Sequence, residues 1–147
     1  MSVRLTFEPF DPGALLSEFC RGRSEVGAVA TFTGLARGEA GKTTALELEA
    51  YPGFTEAEID KVAGRARARF ELSDVLILHR VGQIAPGEPI VFVATAASHR
   101  RAAFEACDFL MDYLKSKAPF WKKEHGPDGE RWVEPTAQDH ADRGRWE

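Results

Sequence analysis

Residues 114–124, LKSKAPFWKKE, gather four lysines around a Pro-Phe-Trp knot. Lys115 and Lys117 precede the knot; Lys122 and Lys123 follow it. Ammonium groups beside large aromatics suit a flat anionic ligand. They also suit acid–base or nucleophilic work, if desolvation and neighbouring cations lower a lysine's pKa. The plain alternative is a solvated helix end, where cations are favoured by the macrodipole. Lys115 lies one turn after Met111, beside an apolar stripe, and is the lysine expected to be lowered; Lys117 points toward solvent. A second cationic group is SHRR (98–101), at the opposite end of the same expected helix. His99 and Arg100 would join backbone N–H groups there in binding phosphate, or else form a capping turn with solvated arginines. Arg37 is a lone loop arginine. His79 and Arg80 read as structural strand-end residues. His125 and His140 lack partners at metal-ligand spacing, so no metal site is expected. Phe120, Trp121 and Trp132 are either core or the wall of a pocket for a heterocycle.

The elements that must position these groups are legible from pattern. VRLTFE (3–8) alternates as a strand, and Asp11-Pro12 caps a helix running to about Cys20. Residues 26–34 read as a buried strand, 35–43 as a loop and 44–51 as an alternating strand. Thr55 and Glu58 predict a capping box, with a Phe54–Ile59 staple, for a helix to about Phe70. Strands follow at 75–82 and 89–97. The longest helix is expected from Ser98 to before Pro119, burying Phe104, Cys107, Met111, Leu114 and Ala118. FWKKE and ERWVE form a hairpin, and 136–147 is expected as a mobile tail. The order β-α-β-β-α-β-β-α-β-β favours an α+β fold in one domain over residues 1–147. Arg100 and Lys115 stand 15 positions apart on one helix, roughly 22 Å at 1.5 Å per residue. Either two sites exist, or two chains each supply one end of a composite pocket.

The totals exclude several classes. A formal charge of −4 argues against general nucleic-acid binding. No apolar run is long enough for a membrane helix, and the first residues lack a signal-peptide pattern. Cys20 and Cys107 show no C-x-x-C spacing, so a reducing, cytoplasmic location is expected. On residues alone, two rivals stand beside an anion-binding enzyme. One is a Schiff-base enzyme using Lys115; the other is a single-strand nucleic-acid module using FWKK.

Four stretches, GAVATFTGLAR (27–37), LELEAYPGFTEAEI (46–59), residues 79–124 with S-H-R and L-K-S-K-A-P-F-W-K, and GERWVE (129–134), closely resemble the large, catalytic subunits of molybdopterin synthase. The resemblance covers Val26 to Glu134. It implies an α/β hammerhead fold with a mixed, largely antiparallel sheet and a C-terminal hairpin. The implied reaction is sulfur transfer to cyclic pyranopterin monophosphate, forming the dithiolene of molybdopterin. The sulfur comes from the C-terminal thiocarboxylate of a small ubiquitin-like subunit, so no cofactor is implied. A homodimer of large subunits, making a heterotetramer with two small ones, is implied as well. By matched position, Lys115 and Lys122 are catalytic. Arg37, His99, Arg100, Lys122, Lys123 and Glu124 bind substrate, while Phe32 and Met111 line the tunnel for the partner's tail. Leu35 stands where the family often has a lysine, and an arginine of some members falls near Thr136.

Overall fold

The computed structural model describes residues 2–38 and 45–147. In chain order it contains β1 (Ser2–Thr6), α1 (Pro12–Cys20), β2 (Ala28–Leu35), β3 (Ala45–Ala50) and α2 (Phe54–Arg69). Next come β4 (Asp74–Arg80), β5 (Gly82–Ile84), β6 (Pro89–Ala97) and α3 (Arg100–Ser116), then β7 (Phe120–Gly126), β8 (Gly129–Val133) and α4 (Ala137–Gly144). The strands form two four-stranded sheets, β1-β4-β6-β2 and β5-β3-β7-β8. β1 and β4 pair in parallel, and the remaining pairs are antiparallel. The α+β reading with mixed, largely antiparallel pairing describes this architecture, with two sheets where one was expected.

Strands β4 and β6 are near-continuous apolar runs because both faces of the first sheet are covered. Ile77 and Val93 pack with Ile59 and Val62 of α2 and Leu110 of α3. Leu76, Leu78 and Phe92 face the opposite way, against Phe19 of α1. Asp11 caps α1 as expected, accepting from the backbone N–H of Gly13 at 2.9 Å. Gly27 allows the start of α3 to approach β2: a Cβ there would lie 2.0 Å from the Ser98 carbonyl oxygen.

The second sheet is built on alternation. Leu46 and Leu48 of β3 are buried, while Glu47 and Glu49 lie on the other face. Leu48 stands opposite Lys122, and Leu46 opposite Glu124. Period two therefore sends Lys122 and Glu124 inward, and Trp121 and Lys123 outward.

Four expectations change. α2 begins at Phe54 with Gly53 as its N-cap, so Thr55 lies inside the first turn and no capping box forms. The Thr55 hydroxyl is fully buried; it accepts from the Tyr51 N–H at 2.9 Å and donates to the Pro119 carbonyl at 2.9 Å. Phe54 is exposed and packs edge-on against Tyr51 rather than stapling to Ile59, and Glu58 pairs with Lys61. Phe104 is also exposed, because the covered stripe of α3 runs through Ala103, Ala106, Cys107 and Leu110. The short strand β5 escaped pattern reading, since three residues are too few to show alternation. Residues 137–144, expected in a mobile tail, form α4. Thr136 and Asp139 make a reciprocal capping box, and Arg145 pairs with Asp108 and Asp112 of α3 at 2.6 and 2.7 Å. Of the loop expected at 35–43, residues 39–43 lie outside the described residues.

Candidate active site

Lys115 sits in the last turn of α3, and Lys122 is the second inward residue of β7. Pro119 ends the path between them, its carbonyl held by Thr55, so helix and strand meet at a fixed angle. Two concavities meet at these lysines. A wide cleft of about 770 Å³ takes in Arg37, Lys115, Lys122, Glu124 and the turn of the β7–β8 hairpin. A narrow channel of about 190 Å³ is walled by Leu48, His79, Met111, Leu114 and Phe120, among others. Lys115, Lys122 and Ile90 line both. The polar cleft suits an anionic small molecule, and the channel, largely apolar but with Lys115, Lys122, Glu134 and Asp139 in its lining, suits something thin and extended.

The charges at the junction are unequal. Burial pushes the Lys122 ammonium below its ordinary pKa, and the charge of Lys115 adds to this, against the opposing pull of Glu124 and Asp139. The desolvated amine was expected at position 115. Lys115 projects from the helix rim and is exposed, whereas Lys122 lies on the inner face of a sheet. Glu124 accepts from Arg131 at 2.8 Å, so the cleft carries an ion pair opposite its lysines.

His79, read from the sequence as structural, is buried and also lines the channel. It is 8% exposed at the end of β4 and stacks on Phe120, ring centroids 4.2 Å apart. Its Nδ1–H donates to the Arg80 carbonyl at 2.8 Å. Burial pushes the imidazole down to about 4; Lys115 and Lys122 push the same way, while the hydrogen bond opposes them. His79 is thus neutral at neutral pH, in the same channel as both lysines. Its reading as merely structural suits Arg80, whose guanidinium is buried against Glu88 and the carbonyl of Gln83. Nothing in the local sequence separates the two; the signal is their opposite strand parity.

The remaining expected site residues divide. Arg37 lies exposed at the wide cleft, and Met111 lines the channel. Lys123 faces away from both, held by Glu130 at 3.2 Å and lying over the Trp132 ring at 4.3 Å. Trp121 and Trp132 are neither core nor pocket wall: they pack together, half exposed, on the outer face. Phe32 is 39% exposed on edge strand β2, outside both concavities. His99 and Arg100 are exposed at the start of α3, the far end from Lys115. His125 has two carboxylate neighbours that the sequence did not reveal, Glu47 and Glu130, each at 3.3 Å. Among the described residues, no group of three or more His, Cys, Asp or Glu side chains could hold a metal ion. Cys20 is exposed, and burial pushes the Cys107 thiol up to about 12.

Known proteins share this chain's sequence and fold. The MoaE protein family model matches residues 5–117. A molybdopterin synthase catalytic subunit of Caulobacter vibrioides is 69% identical, covering 100% of this chain and 98% of that protein. One from Pseudomonas aeruginosa is 46% identical, over 100% of this chain and 99% of its own. Among solved structures, the molybdopterin biosynthesis MoaE protein of Burkholderia ambifaria superposes with a TM-score of 0.84 at 46% identity, over 99% of this chain and 97% of that one. The molybdopterin synthase of Staphylococcus aureus does so with a TM-score of 0.79 at 29% identity, over 88% and 94%. Sequence identity that runs the length of both chains, with the fold preserved alongside it, places this protein: it belongs to the MoaE family.

Proposed function

We propose that this chain is the catalytic subunit of a molybdopterin synthase, and that it is a sulfurtransferase. The observation that carries the reading is the meeting of a wide polar cleft and a smaller, largely apolar channel at Lys115 and Lys122. The cleft, with Arg37, would hold cyclic pyranopterin monophosphate. The channel would admit the C-terminal tail of a small ubiquitin-like subunit, bringing its thiocarboxylate to the lysines. The thiocarboxylate sulfur forms a C–S bond to a substrate carbon as a C–O bond at that carbon breaks, the departing oxygen taking a proton from a lysine. Water then cleaves the acyl–sulfur bond of the resulting thioester, releasing the tail as a carboxylate and leaving the sulfur on the substrate as a thiolate. Lys115 is assigned acid assistance or stabilisation of the oxyanion developing at the substrate. Lys122, being half-buried and lowered, is the better placed to exchange a proton.

In this reading no cofactor is needed and no sulfur is carried on Cys107, whose buried thiol, raised to about 12, is not a nucleophile at neutral pH. His99 and Arg100 lie too far along α3 to reach the lysines of their own chain. They are assigned to the pocket of a second copy, in a homodimer that binds a small subunit at each end. The test is direct. Incubation with the thiocarboxylated small subunit and cyclic pyranopterin monophosphate should yield dithiolene product. Absence of product, with both proteins folded, would remove the reading. Turnover should survive in a folded Cys20→Ser, Cys107→Ser double variant, and its loss there would indicate a persulfide relay.

A further inference from the structure

The wall of the narrow channel formed by β4, β6 and α3 is apolar apart from His79, Lys115 and Ser116, and the rest of the lining adds Lys122, Glu134, Thr136 and Asp139 as its polar residues. Ser116 is engaged, its hydroxyl donating to the Asp112 carbonyl at 2.6 Å. The lysines offer donors. His79 offers the opposite: with Nδ1–H committed to the Arg80 carbonyl, Nε2 presents a lone pair. Among the described residues Nε2 has no hydrogen-bond partner. His79 lines the channel, and its unpaired ring edge is the acceptor it can offer there. The ring is held by its stack on Phe120, and burial, with the charges of Lys115 and Lys122, keeps it neutral.

A neutral lone pair in an apolar wall selects for an N–H donor, because burying either group unpaired is costly. An extended peptide threading the channel has one N–H per residue to satisfy, and apolar side chains satisfy none. An anionic end group is repelled by the lone pair and attracted by Lys115 and Lys122 of the same lining. We infer that His79 Nε2 accepts a hydrogen bond from one backbone N–H of the sulfur carrier's tail, and so sets how far the tail enters before its end meets Lys115 and Lys122. This rests on the reading that the channel receives that tail.

The experiment uses the small subunit with a semisynthetic carboxylate tail, in which each amide in turn is replaced by an ester; this removes the N–H without adding bulk. Affinity for the intact large subunit is measured by calorimetry, with a tail-truncated small subunit as reference. For the wild type, one ester position should weaken binding about three- to tenfold. His79→Phe, which keeps a ring against Phe120, should weaken the all-amide tail by a similar factor and be indifferent to the ester at that position. Equal ester penalties in the two large subunits would overturn the inference while leaving the tail in the channel. A full tail that binds no better than the truncated one would remove the channel reading, and this inference with it. Should His79→Phe not fold, the wild-type scan decides alone: a single sensitive position supports the inference, and insensitivity at every position overturns it.

Discussion

Lys115 projects from the rim of α3 and is exposed, so its loss removes no packing that the fold depends on. Lys115→Ala should change stability by no more than about 0.5 kcal/mol, as surface substitutions generally do. Turnover should fall on the order of a hundredfold or more, the scale of a lost acid–base group. Lys117→Ala, two residues on and outside both concavities, should be close to silent in the same assay; equal activity in the two variants would take Lys115 out of the mechanism. His79 makes the complementary case, a buried group whose chemistry shows in stability. Its pKa is about 4 in the fold against an ordinary 6.5. Above pH 6.5 the imidazole is neutral in folded and unfolded chains alike, and the site contributes its full share. As pH falls from 6.5 to 4 the unfolded chain takes up a proton that the folded one refuses, so stability drops; below 4 both are protonated and the loss levels off. The total is on the order of 3 kcal/mol. Urea titrations between pH 7 and 4 should show this slope in wild type and a flatter one in His79→Phe.

Among the elements, the join between α2 and the β7 strand depends on one hydroxyl. Thr55 is fully buried, linking the Tyr51 N–H to the carbonyl of Pro119. Thr55→Val keeps the shape but leaves the Tyr51 donor unpaired, at a cost of about 1–3 kcal/mol by chemical denaturation. A cost near zero would mean that another acceptor replaces it. This residue also shows what pattern reading could reach. Thr55 followed by Glu58 is a sound capping signal, but it is a local one. The carbonyl that claims the hydroxyl lies 64 residues away, and only the fold brings it there. The same holds for His79, Phe120 and Lys122, which come from two strands in separate sheets. By contrast, α1 was legible because Asp11 and Pro12 act within one turn. β3 was legible because its leucines alternate, and β6 because an apolar run must be covered on both faces. The candidate site was legible in part: resemblance and residue type picked out Lys115, Lys122 and Arg37, which the fold brings to one cleft, but adjacency in sequence gathered Lys123 with them. Strand parity then turned Lys123 to the other face.

For the whole molecule, the question is how the two ends of α3 serve one reaction. If Arg100 of one copy and Lys115 of another share a pocket, each homodimer holds two such pockets. An Arg100→Ala homodimer is defective in both, and so is a Lys115→Ala homodimer. A mixed dimer collects both defects in one pocket and leaves the other whole. Mixing the two inactive variants under subunit exchange should therefore restore about half of wild-type activity per mixed dimer. Exchange verified by mass spectrometry, with no activity regained, would show that both residues act within a single chain. The register of β7 has its own consequence at this scale, one of error tolerance. The adjacent Lys122 and Lys123 form a doublet across the two sides of the second sheet. If β7 slipped by one residue against β3, a lysine would still face inward, so the cationic charge of the cleft is buffered against misalignment. The neighbours are not duplicated in this way. Trp121 would take the place of Phe120 against His79, and His125 that of Glu124 beside Arg131. A slipped strand would thus keep the pocket's charge and lose its shape, and the aromatic and the carboxylate, not the lysines, are what proofread the alignment.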